Sequence, residues 1–361
     1  MPRPVHPRRA VLAAGLGMGL AGLLAAAGCG SDPTTRPTPT SGPSGLPLPG
    51  GSPAGSPEPS DPPVAGATEA AALEAALAAR ATALLARTGS KAPDGRLRRI
   101  LGQVRDAHLA HVAALTSPDP TDPAATPGGL SASPSVTPSP SASGRASGSP
   151  EGGSTDAAIA SLIGAERAAA RAHRARITGP ASELVLLWTS LSAAAQSYAT
   201  ALDASASRGA TVGGRTRLPL APLTEVQARQ QLLAQTYAAI YGYQAAVPFL
   251  SGGDQDDAFA RITGYLRLRD SLRAGLVADG AQPPAADPAY QVSPRPTDDD
   301  SATALLAGIE TRIQPFLGQW VRTATGADRS AALSRLLSTV TLALGLGAPL
   351  DRWPGWPSAA A

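Results

Sequence analysis

In this chain of 361 residues, 38 glycines and 36 prolines leave room for about two ordinary domains beside long stretches unable to form one. The formal charge of +3 suggests an acidic partner. However, Arg3, Arg8 and Arg9 all fall in the first 28 residues, and without them basic and acidic side chains balance, which argues against nucleic-acid binding.

Residues 1–28 have the three parts of an export signal. Arg8-Arg9 follow a short polar start, an apolar run extends from Ala10 to Ala27, and the small residues Ala26-Ala27-Gly28 precede Cys29. A lipoprotein signal peptidase requires small residues before a cysteine that carries diacylglycerol, so Cys29 is the predicted lipidation site. The competing reading is an uncleaved membrane anchor, since the run approaches the length that spans a bilayer. Its glycines and the abrupt Gly30-Ser31-Asp32 favour cleavage. Arg8-Arg9-Ala10-Val11-Leu12 also resembles a twin-arginine signal, so the export route stays open. The chain is therefore expected on the extracytoplasmic face of the cell membrane, with its membrane partner reached through lipid. Cys29 is the only cysteine. Once lipidated, it leaves no disulfide, thiolate metal site or cysteine nucleophile.

Residues 29–66 are rich in Pro, Ser, Thr and Gly and read as a disordered tether; 117–155 read as a disordered insert of the same composition. Ala- and Leu-rich segments between and beyond them favour helix. The first helix is predicted over 68–87 and the second over 95–115, where Leu97, Ile100, Leu101, Val104, His108, His111 and Leu115 recur at helical spacing. The third runs over 156–177 with Asp156 as N-cap, and the fourth follows Gly179-Pro180 to about Leu202. After a linker at 208–223, Thr224 caps a fifth helix that breaks near Pro248. The sixth spans 254–279, a Pro-rich crossover covers 281–297, and the last two span 301–323 and 329–346.

Two short connections and one long one, between the second and third helices, are the connectivity of a ferritin-like four-helix bundle. The first region repeats that order with the insert in the crossover position. The expected fold class is all-α: two bundles in tandem, at 67–207 and 224–357.

The second bundle resembles a ferritin-like domain of unknown function found in actinobacterial secreted proteins and lipoproteins. The resemblance rests on Ala238-Ala239-Ile240-Tyr241-Gly242-Tyr243, Arg267-Leu268-Arg269-Asp270-Ser271-Leu272, the crossover from Gly280-Ala281-Gln282-Pro283-Pro284 through Ala289-Tyr290, and Trp353-Pro354-Gly355-Trp356-Pro357. The family pattern implies a Glu-His pair before the Ala-Ala-Ile run and a histidine on the next helix. Here Thr236, Tyr237 and Tyr265 stand in those places.

A di-iron bundle needs inward carboxylates and Glu-x-x-His turns. The second bundle has no histidine, and of its helical acids only Glu310 lies mid-helix, so it is not read as a ferroxidase. In the first bundle His108 and His111 are one turn apart, Glu166 and His173 share the third helix, and Glu74 is midway along the first. A metal site from these residues is conceivable. Against it, no Glu-x-x-His occurs and the fourth helix offers only Gln196 and Tyr198. The plainer reading is interfacial histidines and surface charge.

No Gly-x-Ser-x-Gly turn, phosphate loop or Rossmann strand is present, and no cofactor is called for. Arg167, Arg171 and Arg174, and in places Arg261, Arg269 and Arg273, read as solvated faces. Tyr237, Tyr241 and Tyr243 read as core or groove lining. The first expectation is a non-enzymatic lipoprotein that binds or scaffolds a partner in the cell envelope. The alternative is a metal-binding or redox protein using His108, His111, Glu166 and His173, and a plain spacer ranks last.

Overall fold

The computed structural model describes residues 64–88, 95–125, 154–203 and 216–358. Cys29, the export signal and most of the tether and insert lie outside them. Eight α-helices follow in order: α1 Ala67–Thr88, α2 Gly95–Leu115, α3 Thr155–Arg174, α4 Glu183–Leu202, α5 Glu225–Ala246, α6 Gly252–Ala278, α7 Asp299–Thr323 and α8 Gly326–Gly345. Among the described residues no strand forms, so the fold is all-α. No helix among them is long and apolar enough to cross a membrane.

Local chemistry sets the helix starts. Thr224 caps α5 in a reciprocal box: its hydroxyl accepts from the Gln227 amide at 3.2 Å while the Gln227 side chain accepts from the Thr224 amide at 2.9 Å. Asp298 and Ser301 make the same exchange at α7. For α3 the cap is Ser154, whose hydroxyl accepts from Ala157. This corrects the expectation for Asp156, which instead sits in the first turn, where its charge suits the helix dipole. The same helix stops at Arg174, short of Ile177.

Helices joined by short connections pack on one another: α1 on α2, α3 on α4, α5 on α6 and α7 on α8. In the first bundle α1 also meets α3 and α2 meets α4; in the second α5 meets α7. The α5–α7 approach depends on Gly242, where a Cβ would lie 2.6 Å from Ile309 Cδ1.

α4 joins the two bundles, packing on α7 and α8 as well as on its own partners. Every side chain from Val185 to Ala195 is buried, Thr189, Ser190 and Ser192 included, because α4 packs on both bundles. The cores interpenetrate accordingly. Val185 and Ala193 belong to the second bundle's cluster, and Leu344 and Leu350 to the first's.

After α8 the chain turns back as an extended tail. Trp353 and Trp356 pack with Ala67, Ala70, Leu115, Leu187 and Leu191 at one end of the first bundle. Gly355 passes so close to α7 that a Cβ on Gly318 would fall 2.0 Å from its carbonyl oxygen.

Candidate functional site: a buried Glu–His cluster

In α1, α2 and α3 the row of inward positions is filled mostly with alanine and other aliphatic side chains. Glu74 interrupts that row on α1, between Ala71 and Leu77–Ala78. His108 and His111 interrupt it on α2, and Glu166 and His173 on α3. All five side chains are at most 1 % exposed. The packing of α1 on α2 and α3 brings them together.

Glu74 is the hub. Its Oε2 lies 2.6 Å from His108 Nδ1 and 2.7 Å from His111 Nδ1, and its Oε1 lies 2.7 Å from His173 Nε2. Glu166 Oε1 is 2.8 Å from His108 Nε2, and the Arg352 carbonyl of the tail is 2.9 Å from His111 Nε2. Both nitrogens of His108 and both of His111 therefore face oxygen. Within the cluster two buried atoms have no hydrogen-bond partner, Glu166 Oε2 and His173 Nδ1.

Burial alone would raise the Glu74 pKa, but the charges and hydrogen bonds of His111 and His108 hold it well below the usual carboxylate range. Burial works against protonated His108, yet Glu74 and Glu166 overcome it and push its pKa up to about 10. Burial also raises Glu166, only partly offset by His108. The cluster thus pairs charges in a low-dielectric interior. Each buried ion there carries a desolvation penalty of several kcal/mol that leucine would avoid.

Glu74, His108 and His111 each offer a ligand atom, all within 4.8 Å of one another. Their oxygen–nitrogen separations of 2.6 and 2.7 Å are hydrogen-bond distances, so the side chains would spread by several tenths of an ångström to reach the roughly 3.0–3.4 Å between neighbouring ligands of an ion bound at about 2.1 Å. The outer contacts are also those of a metal site: a carboxylate on His108, a backbone carbonyl on His111 and an imidazole on the far oxygen of Glu74.

Tyr198 of α4 completes the wall. Its ring lies 5.4 Å from that of His108 and 6.4 Å from that of His111, and its hydroxyl reaches the Asp351 carbonyl at 3.4 Å. Trp353 approaches His111 edge-on at 4.6 Å. Gln196 takes no part and bonds Thr341 of α8. The tail contacts are invisible to helical periodicity; their one sequence signal is the Trp-Pro-Gly-Trp-Pro run.

The second bundle places a different group at its centre. Buried Glu310 accepts from Tyr243 at 2.6 Å, Tyr265 at 2.8 Å and Arg261 Nε at 2.9 Å, while Arg261 also bonds Thr339 and lies over the Tyr265 ring at 4.7 Å. Protein donors occupy this carboxylate. Arg261 is thus not part of a solvated face, because Glu310 draws it inward across the bundle. Burial, then Glu310, raise the pKa of both tyrosines. Tyr237 accepts from Arg273. Tyr241 instead lines an open groove of about 350 Å³ with Ala238, Gly242, Tyr290 and Ile309.

No functionally curated protein matches the chain. A solved structure of a conserved hypothetical protein from Mycobacterium tuberculosis is similar at 24% identity, covering 33% of this chain and 91% of that one with a TM-score of 0.32. Residues 228–358 match the family described as a domain of unknown function, DUF4439, which takes in the second bundle and the tail but not the Glu–His cluster.

Proposed function

We propose that this chain is a metal-binding protein of the cell envelope, with a single transition-metal site held by Glu74, His108 and His111. The observation that carries this reading is the fully buried convergence of these residues with Glu166 and His173. A bundle serving only as scaffold gains stability by filling such positions with apolar side chains. Two imidazoles and one carboxylate suit a divalent first-row ion such as manganese, iron or zinc and leave coordination positions open, with the ion displacing the proton that His108 Nδ1 shares with Glu74. The helix order, two hairpins joined by a long crossover, agrees with a ferritin-like bundle, a fold that builds metal sites from facing helices. In this reading diacylglycerol on Cys29 holds the protein at the outer face of the cytoplasmic membrane.

The test is metal content per chain after incubation with Mn(II), Fe(II) or Zn(II) and desalting. One tightly held ion is expected, and the double variant His108→Ala/His111→Ala should lose it while keeping its helical circular dichroism. Stoichiometric metal in that variant, or none in the wild type, refutes the site. Radiolabelled palmitate should enter the wild type in cells and not Cys29→Ala; equal labelling of both would reject the anchor.

A further inference from the structure

The inward ligands are closed off from solvent, so an ion needs a route in. A cleft beside them holds about 100 Å³ and is lined by Gln103, Asp106 and Ala107 of α2, Tyr198 of α4, and Leu350, Asp351 and Arg352 of the tail. Tyr198 is common to both places, lining the cleft and meeting the rings of His108 and His111. The side-chain amide of Gln103 has a buried oxygen and a buried nitrogen without hydrogen-bond partners. Two walls of the cleft are helices fixed in the core. The third is an extended segment, packed through Trp353 and Trp356, bonded to Leu218 and braced by one buried arginine.

That arginine is Arg217, on the strand-like residues preceding α5. It is 2 % exposed, and its guanidinium lies 4.4 Å from the centre of the Trp353 ring and 4.9 Å from that of Trp356. Its two terminal nitrogens donate to the carbonyls of Pro120 at 2.9 Å and Asp122 at 2.7 Å, in the loop after α2. Leu218 bonds the tail through its backbone, donating to Pro357 at 2.8 Å and accepting from the Trp356 indole at 3.1 Å. The contacts form a series: loop 120–122, Arg217, Trp353, His111. One residue from Trp353 is the carbonyl of Arg352, which orients the outer nitrogen of His111.

We propose that the tail, residues 349–358, is a latched cover over the metal centre, that the cleft at its edge is the path of metal exchange, and that Arg217 is the latch. This rests on the metal-binding reading above. With the latch closed, Trp353 and the Arg352 carbonyl hold His111 in place and the cleft stops at Tyr198. Lifting the tail withdraws one wall of the cleft and the outer partner of His111 together, opening the ligands to water. Arg217 is a positioning residue, since it touches no ligand atom. Planar guanidinium matters because it stacks on both indoles while reaching two carbonyls; lysine keeps the charge and loses the fork.

The experiment uses the full chain loaded with Co(II), whose visible absorption reports coordination, and follows release into excess EDTA. Arg217→Ala should bind one Co(II), as the wild type does, and release it at least about tenfold faster, with Arg217→Lys in between. Far-UV circular dichroism establishes that each variant is folded; should Arg217→Ala not fold, the Lys variant decides. Leu272→Ala, in the second bundle's core, controls for simple loss of stability and should release at the wild-type rate despite its lower melting temperature. Equal release from wild type and folded Arg217 variants overturns the latch while leaving the metal site standing. Release that follows melting temperature in all variants, Leu272→Ala included, also overturns it. No Co(II) bound by the wild type removes the metal reading and the latch with it.

Discussion

Three imidazole nitrogens converge on the two oxygens of Glu74. Removing that carboxylate leaves paired, buried groups without their counter-charge, a change that typically destabilises by about 3–5 kcal/mol. Glu74→Ala should show a loss of that order in urea melts of the metal-free protein and should bind no metal. The second bundle allows a cleaner test of the same physics. Glu310→Ala strands Arg261 and should destabilise by about 3 kcal/mol, whereas Glu310→Leu with Arg261→Met should recover most of that, because apolar packing removes both charges together. A double variant no more stable than Glu310→Ala would mean that the tyrosine hydroxyls, and not the ion pair, dominate the energetics there.

At the scale of elements, α4 and the tail settle how the helices assemble. α4 is buried on all sides because it serves both bundles, and it tolerates little change in volume. The tail is held to α7 by glycine on each side: Gly318 lacks a Cβ where one would collide with the Gly355 carbonyl, and Gly355 itself has φ +83°. Backbone offers no flexible end to move aside. Gly318→Ala should therefore destabilise by about 3 kcal/mol or more, beyond the usual range for overpacking, measured by chemical denaturation. A wild-type midpoint would mean that the tail can lift from α7 at little cost. The caps are smaller contributions: Thr224→Ala should lose about 1 kcal/mol.

Across the whole molecule, the two bundles share core residues in both directions. Calorimetry on the metal-free chain should accordingly give one cooperative transition, since neither bundle can unfold without exposing part of the other's core. Truncation after Ala348 removes Trp353 and Trp356 from the first bundle and the Arg352 carbonyl from His111. It should lower the melting temperature of the remaining chain and abolish tight metal binding. Two resolved transitions, with the first bundle unaffected by truncation, would contradict the shared core.

The sequence by itself determined the all-α class, the positions of eight helices to within a few residues and the crossover. These follow from apolar periodicity, caps and Gly/Pro breaks, which act over a few neighbouring residues. It also made a site on the helix faces of Glu74, His108, His111, Glu166 and His173 conceivable, but its plainer reading is interfacial histidines and surface charge, which the burial of all five corrects. Whether those faces met was a matter of how α1, α2 and α3 are rotated and shifted against one another, and only the tertiary structure decided it. The same holds for Arg261, whose helical spacing reads as a solvated face until Glu310 is seen across the bundle. The contacts of Arg217, Arg352 and Trp353 had no sequence signal beyond the Trp-Pro-Gly-Trp-Pro run that carries Trp353. They join segments about a hundred residues or more apart through an extended tail with no periodicity, and such contacts exist only once the helices have packed to form the surface on which the tail lies.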